Sequence, residues 1–296
     1  MTNLRILKIL LTICILLPFK AISAQDTVRI LALGNSFAGN ALESYLSDLT
    51  QSAGIPTIIA NAYIGGCTLE RHWKNAEDGS APYEYRKIMP DGKKSVEKNK
   101  TILYCIEDEP WDYISFLQAS GFSGLPESYF PYLSNLIEYV KIKATNPKVE
   151  LIFLQTWAYD TDSQHPHFPN YGNSQSAMYR AIVNSVKSAT EKSGIKTVVP
   201  AGTAIQNVRA NFPGIEICRD GYHLNDRVGE FTASCVWFET LFGKVRKNRF
   251  VPDNVGPYQA KIAKKAAYYA VRNPNETTIF VKPKCTVGNG TLRELQ

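Results

Sequence analysis

Residues that together can perform nucleophilic catalysis occur at two distant points of the chain. Ser36 lies in Gly34-Asn35-Ser36-Phe37, between an apolar run and a stretch with helical spacing. Asp220 and His223 lie three residues apart in a second polar turn that also precedes a helical stretch. A serine hydroxyl needs a base to accept its proton, and that base needs a partner that fixes its tautomer. The pattern therefore predicts a triad, with Ser36 as nucleophile, His223 as base and Asp220 as its partner.

Each of these turns also has an ordinary structural explanation. A serine between a strand and a helix is common, and an aspartate in a turn often caps the helix that follows. The chain has only four histidines, however, and His223 follows the last predicted strand. Because ligands bind beyond the carboxyl ends of parallel strands, its loop is expected at the same sheet edge as Ser36. This shared edge favours the catalytic interpretation.

The residues around these two turns resemble those of a known family, the SGNH (GDSL) hydrolases. Gly34-Asn35-Ser36-Phe37 is similar to the first block of that family, with Asn35 in place of the usual aspartate, and Asp220-Gly-Tyr-His223 is similar to the last. Gly65-Gly66-Cys67-Thr68 resembles the second block, in which Gly66 aligns better than Gly65. Together with residues 69–73 and 220–229, these blocks look like a poorly characterised SGNH branch of polysaccharide-degrading bacteria.

The resemblance implies an oxyanion hole built from the N–H groups of Ser36 and Gly66. The third block departs from the family pattern, because the segment after the third predicted strand contains no asparagine. Gln118 is the nearest side-chain amide and is the predicted third donor, with Ser120 as the alternative. Losing one such donor typically lowers turnover by about 10²–10³-fold, so a substitute is expected.

Four aromatic or histidine side chains are candidates for substrate binding. His72 and Trp73 follow the glycine block and either line the cleft or pack against the sheet edge. Trp157 and Tyr159 follow the fourth predicted strand, where an exposed ring can stack on a sugar. The polar residues that come next match no standard metal site, and two prolines favour an irregular loop, so neither metal nor cofactor is expected; these residues are Asp160, Asp162, His165 and His167.

The elements around these residues alternate between strands and helices. Five short apolar runs are predicted strands, at residues 28–33, 56–61, 113–117, 149–155 and 197–201. Amphipathic stretches are predicted helices, at residues 40–53, 127–144, 173–193, 225–242 and 257–271. Asn40 and Asn225 are predicted N-caps. Runs that are apolar on both faces indicate a parallel sheet covered on both sides. The fold class is therefore α/β, a three-layer α/β/α sandwich with a five-stranded parallel sheet, which the resemblance identifies as the flavodoxin-like SGNH fold.

One segment, at about 62–112, interrupts this alternation. Residues 83–93 read as a strand that enters a Pro-Asp-Gly turn, and residues 101–106 are its predicted partner. We expect a small hairpin lobe over one edge of the sheet, inserted in a single domain at 25–282.

The ends of the chain are expected to lie outside that domain. Residues 1–24 combine a basic start, a short apolar run and a small-residue site, which predicts a cleaved signal peptide and export to the periplasm or beyond the cell. The apolar run is shorter than the roughly 20 residues of a membrane span, so no stable anchor is expected. Residues 283–296 read as a tail.

Charge and cysteine content narrow the classes of partner. The chain holds 33 basic and 27 acidic residues, a net charge of +6, of which residues 1–24 contribute three basic residues and no acid, leaving +3. A balance this small gives no support to nucleic-acid binding.

Five cysteines follow the predicted leader, and we expect buried thiols with one or two disulfides; they are Cys67, Cys105, Cys218, Cys235 and Cys285. Asn275 and Asn289 each begin a glycosylation sequon, a motif short enough to arise by chance.

These observations predict a secreted serine esterase. By resemblance, its substrate is an acylated carbohydrate, most simply an acetyl ester on a small molecule or a polysaccharide. A lipase or lysophospholipase is the nearest alternative, although residues 62–112 look too polar for an acyl channel. A non-catalytic carbohydrate-binding protein on the same scaffold is the alternative from another class, favoured by the missing third-block asparagine.

Overall fold

A seven-stranded sheet runs through the residues that the computed structural model describes, 26–281. Its strands occur in the order β4-β3-β2-β1-β5-β6-β7. The predicted leader, the tail, Cys285 and Asn289 lie outside the described residues. The strands are β1 (Val28–Gly34), β2 (Thr57–Tyr63), β3 (Tyr83–Ile88), β4 (Lys94–Lys100), β5 (Tyr113–Phe116), β6 (Glu150–Leu154) and β7 (Thr197–Val199).

The five predicted strands form the parallel part of this sheet, so the predicted α/β class is confirmed. β1 pairs in parallel with β2 on one side and β5 on the other, and β5, β6 and β7 continue in parallel. Counting the parallel strands alone, the order is 2-1-3-4-5, which is the flavodoxin-like arrangement. The order reverses at β1, so the end of β1 borders the crevice where such sheets bind ligands.

The sheet has seven strands rather than the predicted five, because the inserted segment extends it. β3 pairs antiparallel with β2, and β4 pairs antiparallel with β3, so the hairpin continues the sheet instead of forming a separate lobe. The predicted turn is present: the Gly92 N–H donates to the Met89 carbonyl at 2.8 Å, and Gly92 has φ +83°.

The predicted second strand of the hairpin, at residues 101–106, is wrong. These residues form α4 (Ile102–Glu107), and Thr101 caps it by accepting the Tyr104 N–H at 3.0 Å. The apolar residues Ile102, Cys105 and Ile106 follow helical spacing and are buried. The true partner, β4, is exposed along almost its whole length and rich in lysine, so no apolar alternation marks it as a strand.

Besides α4, the α-helices of the described range are α1 (Ser36–Ala38), α2 (Leu46–Ser52), α3 (Leu69–Asp78), α5 (Tyr132–Lys143), α6 (Gln175–Ser193), α7 (Ala201–Asn211), α8 (Val228–Leu241) and α9 (Pro257–Arg272). They cover the sheet in two layers: α8 packs against α2, α7 and α9, and α3 packs against α4 and α5. The sequence predicts α2, α5, α6, α8 and α9, with shifted ends. None of the helices within 26–281 is both long and apolar enough to cross a bilayer.

The two predicted N-caps have different outcomes. The N-cap position of α8 is Arg227 rather than Asn225, but the Asn225 side chain accepts the N–H groups of Arg227 at 3.2 Å and Gly229 at 3.1 Å and so binds the first turn of the helix from two residues earlier. Asn40 lies instead inside a π-helical turn, Gly39–Glu43, and its buried amide donates to Glu230. The capping role near Ser36 belongs to Asn35.

The four described cysteines form no disulfide with one another. Burial raises the pKa of the Cys67 and Cys105 thiols to about 12, so both stay protonated and behave as small apolar side chains.

Candidate active site

The hydroxyl of Ser36 stands at the first residue of α1, directly after β1 ends. Asn35 is the N-cap of this helix, and its Oδ1 accepts the Phe37 N–H at 2.9 Å. The turn is tight: a Cβ added to Gly34 would lie 2.6 Å from the Cβ of Ala38, closer than two carbons can approach. The strand end and the cap together fix Ser36 at the carboxyl edge of the sheet.

The loop before α8 brings His223 and Asp220 to this hydroxyl. His223 Nε2 lies 2.9 Å from Ser36 Oγ, and His223 Nδ1 lies 2.7 Å from Asp220 Oδ2. Asp220 Oδ1 also accepts the main-chain N–H groups of His223 at 2.7 Å and Tyr222 at 3.2 Å. Partial burial acts to raise the pKa of Asp220, but these hydrogen bonds outweigh it and hold the pKa below its usual value. An ionised Asp220 thus fixes the imidazole with Nε2 directed at the serine.

The loop that carries this pair is held from the segment after β6. Trp157 Nε1 donates to the Tyr222 carbonyl at 2.8 Å, and the Asp160 N–H donates to the Gly221 carbonyl at 2.8 Å. The Asp160 carboxylate is itself held by Arg209 at 2.7 Å. Two consecutive carbonyls of the loop are therefore anchored, which limits how far the neighbouring imidazole can move.

Two main-chain N–H groups beside Ser36 are candidates to stabilise an oxyanion. Within residues 26–281, neither the Ser36 N–H nor the Gly66 N–H donates to another protein group. Gly66 is exposed and has φ +62°, which favours glycine. The Asn35 side chain donates to the Cys67 carbonyl at 3.0 Å and so ties the glycine loop to the nucleophile turn. This link is made by the residue that replaces the usual aspartate.

The structure does not bring a free amide of Gln118 to this site. Both amide hydrogens of Gln118 are engaged by Ser128, through its carbonyl at 2.8 Å and its hydroxyl at 3.1 Å. Its oxygen accepts the N–H groups of Leu69 at 3.1 Å and Ala119 at 2.8 Å. Gln118 thus positions the start of α3 and the glycine loop before it. The alternative, Ser120, is buried with its hydroxyl 2.8 Å from a tyrosine hydroxyl.

His72 and Trp73 pack within the fold rather than at the cleft surface. His72 is fully buried, with Nδ1 at 3.0 Å from the Tyr83 hydroxyl, and burial lowers its pKa to about 3. Trp73 is half-buried and meets Tyr139 of α5 edge to face at 6.5 Å. The packing interpretation of this pair therefore fits the structure.

Trp157 and Tyr159 are also fully buried, so neither ring face is open to a sugar. Trp157 stacks on Phe37 with ring centroids 4.3 Å apart. The Tyr159 hydroxyl lies 2.8 Å from the Ser120 hydroxyl. Trp157 therefore contacts both parts of the candidate site, the residue after the nucleophile and the loop of the base. The sequence places Trp157 at the right edge but does not reveal that it faces inward.

The polar loop after β6 holds no metal cluster in the part of the chain that the structure describes. Asp160 is paired with Arg209, and Asp162 is exposed. His165 packs edge to face on Tyr222 at 4.6 Å. Burial and neighbouring His167 lower the pKa of His165, which favours its neutral form.

A cleft of about 420 Å³ opens beside Ser36, within the range of small-ligand pockets. The hairpin, the π-helical turn and the start of α8 contribute its walls. Apart from Gly39, every lining residue carries a polar side chain. The lining residues are Ser36, Gly39, Asn40, Glu43, Ser44, Tyr45, Tyr63, Arg86, Lys94, Arg219 and Glu230. Among them, only Ser36 is predicted from the sequence to take part in catalysis; the basic residues of the insertion, such as Arg86 and Lys94, are the sequence signal for the rest of the cleft.

A larger depression, of about 740 Å³, lies at the opposite end of the sheet. Residues at the starts of β1, β5 and β6 line it, among them Asp112 and Glu150. Its lining residues include no serine or histidine. The cleft beside Ser36 is therefore the better candidate site.

Solved structures with a similar fold include the following two. A DUF4886 family protein from Bacteroides uniformis ATCC 8492 is 43% identical, with a TM-score of 0.83 over 86% of this chain and 98% of that one. A putative SGNH hydrolase from Slackia heliotrinireducens is 19% identical, with a TM-score of 0.50 over 73% of this chain and all of that one. The second likeness is one of fold, and it agrees with the fold expected from the sequence. No curated protein sequence matches the chain.

The family model described as "Domain of unknown function (DUF4886)" matches residues 29–270, which include all of β1 but its first residue, the hairpin and the whole candidate site. The chain therefore belongs to the DUF4886 family.

Proposed function

We propose that this protein is a serine ester hydrolase that works through an acyl-enzyme. The observation that carries the proposal is the chain of contacts from Ser36 Oγ to His223 Nε2 at 2.9 Å and from His223 Nδ1 to Asp220 at 2.7 Å. A base within hydrogen-bonding reach of a nucleophile, itself oriented by a third group, is the arrangement that acyl transfer requires. The SGNH-type fold and the blocks around these residues support the same reaction.

The geometry suggests a conventional sequence of steps. Ser36 Oγ attacks the ester carbonyl carbon while His223 Nε2 takes the hydroxyl proton. The N–H groups of Ser36 and Gly66 stabilise the negative charge on the carbonyl oxygen. His223 then gives its proton to the departing alcohol, which leaves an acyl group on Ser36. Water, deprotonated by His223, attacks this acyl ester, and the acid is released as Ser36 regains its proton.

We further propose an acylated carbohydrate, most simply an acetylated one, as the substrate. The walls of the cleft carry hydroxyl, amide and charged groups that suit a sugar. A lipase would need an apolar channel, and this cleft offers none. Export, inferred from residues 1–24, would bring the enzyme to polysaccharides outside the cell. A non-catalytic binding protein is less well supported, because such a protein has no physical need for a serine, an imidazole and a carboxylate in hydrogen-bonded sequence.

A serine-directed fluorophosphonate probe tests the catalytic proposal. The probe should label the wild type, and Ser36→Ala should lose both labelling and 4-nitrophenyl acetate turnover, because the hydroxyl is the attacking group. Ser188→Ala is a matched control: Ser188 is exposed on α6 and does not line the cleft, so this variant should keep the label. Equal labelling of wild type and Ser36→Ala, or no labelling and no turnover by the wild type, would reject the enzyme.

A further inference from the structure

Three cationic side chains line the cleft beside Ser36. Arg86 comes from β3, Lys94 from β4, and Arg219 directly precedes Asp220. Arg86 and Lys94 belong to one hairpin, whereas Arg219 lies more than 100 residues later, so their meeting in one cleft is a product of the fold. Two acids, Glu43 and Glu230, line the same cleft. Whether the cleft can take an anion depends on which of these charges are already paired.

Arg86 is neutralised within the protein. Its guanidinium meets Glu84 at 2.7 Å and Glu43 at 3.7 Å, and it lies over the ring of Tyr63 at 3.4 Å from the centroid. Glu43 also accepts the amide of Asn61 at 2.6 Å. This group forms part of the wall and has little free charge for a ligand.

Glu230 is similarly occupied by donors of the protein itself. Its carboxylate accepts the Asn40 amide at 2.5 Å and the Ser44 hydroxyl at 2.7 Å. Burial is the main cause that raises the pKa of Glu230, so its ionised form is less favoured than that of an exposed glutamate. The acid is turned into the wall, and its nearest cation, Arg219, approaches only to 3.4 Å.

Lys94 and Arg219 keep donors that point to no acid. Lys94 Nζ contacts only the main-chain carbonyl of Glu43, at 3.3 Å, and pairs with no carboxylate of residues 26–281. Arg219 uses one nitrogen, Nη1, for the Leu224 carbonyl at 2.8 Å and for Glu230, and its side chain is 50% exposed. The cleft therefore offers an exposed ammonium and the free part of a guanidinium on the same side of the sheet as the nucleophile.

We propose that this cleft binds an anionic group carried by the substrate, so that the preferred ester is an acyl group on an acidic saccharide, with Lys94 and Arg219 as the recognising cations. The inference rests on the proposed esterase function and specifies its substrate class. A carboxylate on the sugar and a sulfate on the sugar share the relevant chemistry, a negative charge on several acceptor oxygens. Charge-assisted hydrogen bonds of this kind are stronger than neutral ones.

The test compares esters that differ only in charge. An O-acetylated oligogalacturonide is one substrate, and the same oligosaccharide with its carboxylates converted to primary amides is the neutral counterpart. An O-acetylated, sulfated oligosaccharide and its unsulfated form make a second pair, which distinguishes the two anions. The expected result is a kcat/KM roughly tenfold higher for the charged member of at least one pair, from one exposed charge-assisted contact. Salt should reduce this preference, because ions screen exposed charges.

Variants link the preference to the two cations. Lys94→Ala and Arg219→Gln should each lower the charged-to-neutral ratio of kcat/KM several-fold. Lys98→Ala is the matched control, because Lys98 lies on the same strand with its side chain 73% exposed and does not line the cleft. That control should keep the wild-type ratio. A ratio near one in the wild type, or an unchanged ratio in Lys94→Ala and Arg219→Gln, overturns the proposal.

Binding to Ser36→Ala separates this inference from the esterase function. Calorimetry with the same saccharide pairs needs no turnover, and the charged member should bind roughly tenfold more tightly. If the wild type hydrolyses 4-nitrophenyl acetate but neither turnover nor binding depends on charge, the esterase stands and the anion site fails. If no ester is hydrolysed but charged saccharides still bind preferentially, the anion site stands and the esterase fails.

Discussion

Replacing Trp157 by phenylalanine tests whether the buried indole positions the base. The indole Nε1 donates to the Tyr222 carbonyl at 2.8 Å, one residue before His223, while its ring stacks on Phe37 at 4.3 Å. Trp157→Phe keeps an aromatic ring in contact with Phe37 and removes the only N–H of the side chain. The substitution thus separates packing against the nucleophile turn from restraint of the loop of the base.

The expected loss of stability has two parts. One is the smaller volume of phenylalanine in a fully buried site, and the other is the Tyr222 carbonyl left without its donor, which costs about 1–3 kcal/mol. Trp237→Phe is a matched control: Trp237 is equally buried, and its N–H has no partner among residues 26–281. The two variants share the volume loss. The free energy of unfolding of Trp157→Phe should therefore be lower than that of Trp237→Phe by about 1–3 kcal/mol. Each kcal/mol lowers the Tm by about 2–4 °C.

The expected loss of activity follows from the 2.9 Å contact between His223 Nε2 and Ser36 Oγ. A displacement of about 1 Å at such a contact can reduce the rate by about 10²-fold. We expect kcat for 4-nitrophenyl acetate to fall by roughly 10- to 100-fold in Trp157→Phe, with a smaller change in KM, because positioning acts on the chemical step. Fluorophosphonate labelling should slow in parallel, and Trp237→Phe should label at the wild-type rate.

The comparison has a clear refuting result. If Trp157→Phe and Trp237→Phe lose the same stability and both keep the wild-type kcat, the hydrogen bond to Tyr222 does not restrain the loop. If both lose activity equally, the effect is one of core packing. Either result removes Trp157 from the set of positioning residues.

The remaining predictions concern Asp220 and its contact with His223. Asp220→Asn should lower kcat by about 10⁴-fold with little loss of fold, because an amide supports the wrong tautomer of His223; a fall of less than tenfold in a correctly folded variant contradicts the role of Asp220. The lowered pKa of Asp220 keeps that carboxylate ionised and bonded to His223 at a lower pH than an ordinary aspartate would allow. Urea unfolding of the wild type and of Asp220→Asn at several pH values checks its contribution to stability, and the wild type should lose its advantage in acid. The same lowered pKa adds stability that is present above the unfolded value of about 3.9 and is lost as the pH falls through the folded value.

The parallel part of the fold was predictable because its strands are apolar on both faces. The run at residues 28–33 is apolar apart from Arg29, as is typical of a strand in a covered sheet. The hairpin was harder, since β4 lies at the sheet edge with both faces exposed and needs no apolar residue. Residues 102–106 gave the stronger strand signal and form a helix, because a short apolar run does not by itself distinguish the two.

The site divides in a similar way. The proximity of Ser36 to Asp220 and His223 could be inferred because Ser36 lies in the turn at the end of the first predicted strand and the other two share one polar turn before a predicted helix. That turn does not directly follow the last strand, since α7 lies between β7 and Asp220. The role of Gln118 could not be inferred, because two of its partners, Leu69 and Ser128, lie in distant turns whose positions depend on packing. Burial of an aromatic residue after a strand is likewise decided by the layer that covers it.

The hairpin gives the cleft a wall that is separate from the proposed triad. Ser36, Asp220 and His223 stand on turns beside the parallel strands, whereas Lys94 stands on an antiparallel strand that joins the sheet only through β3 and β2. Substitutions within residues 83–100 can therefore alter the charge of the cleft without moving the end of β1. We expect relatives that differ mainly in this stretch to keep the same hydrolytic reaction and to prefer saccharides of different acidity.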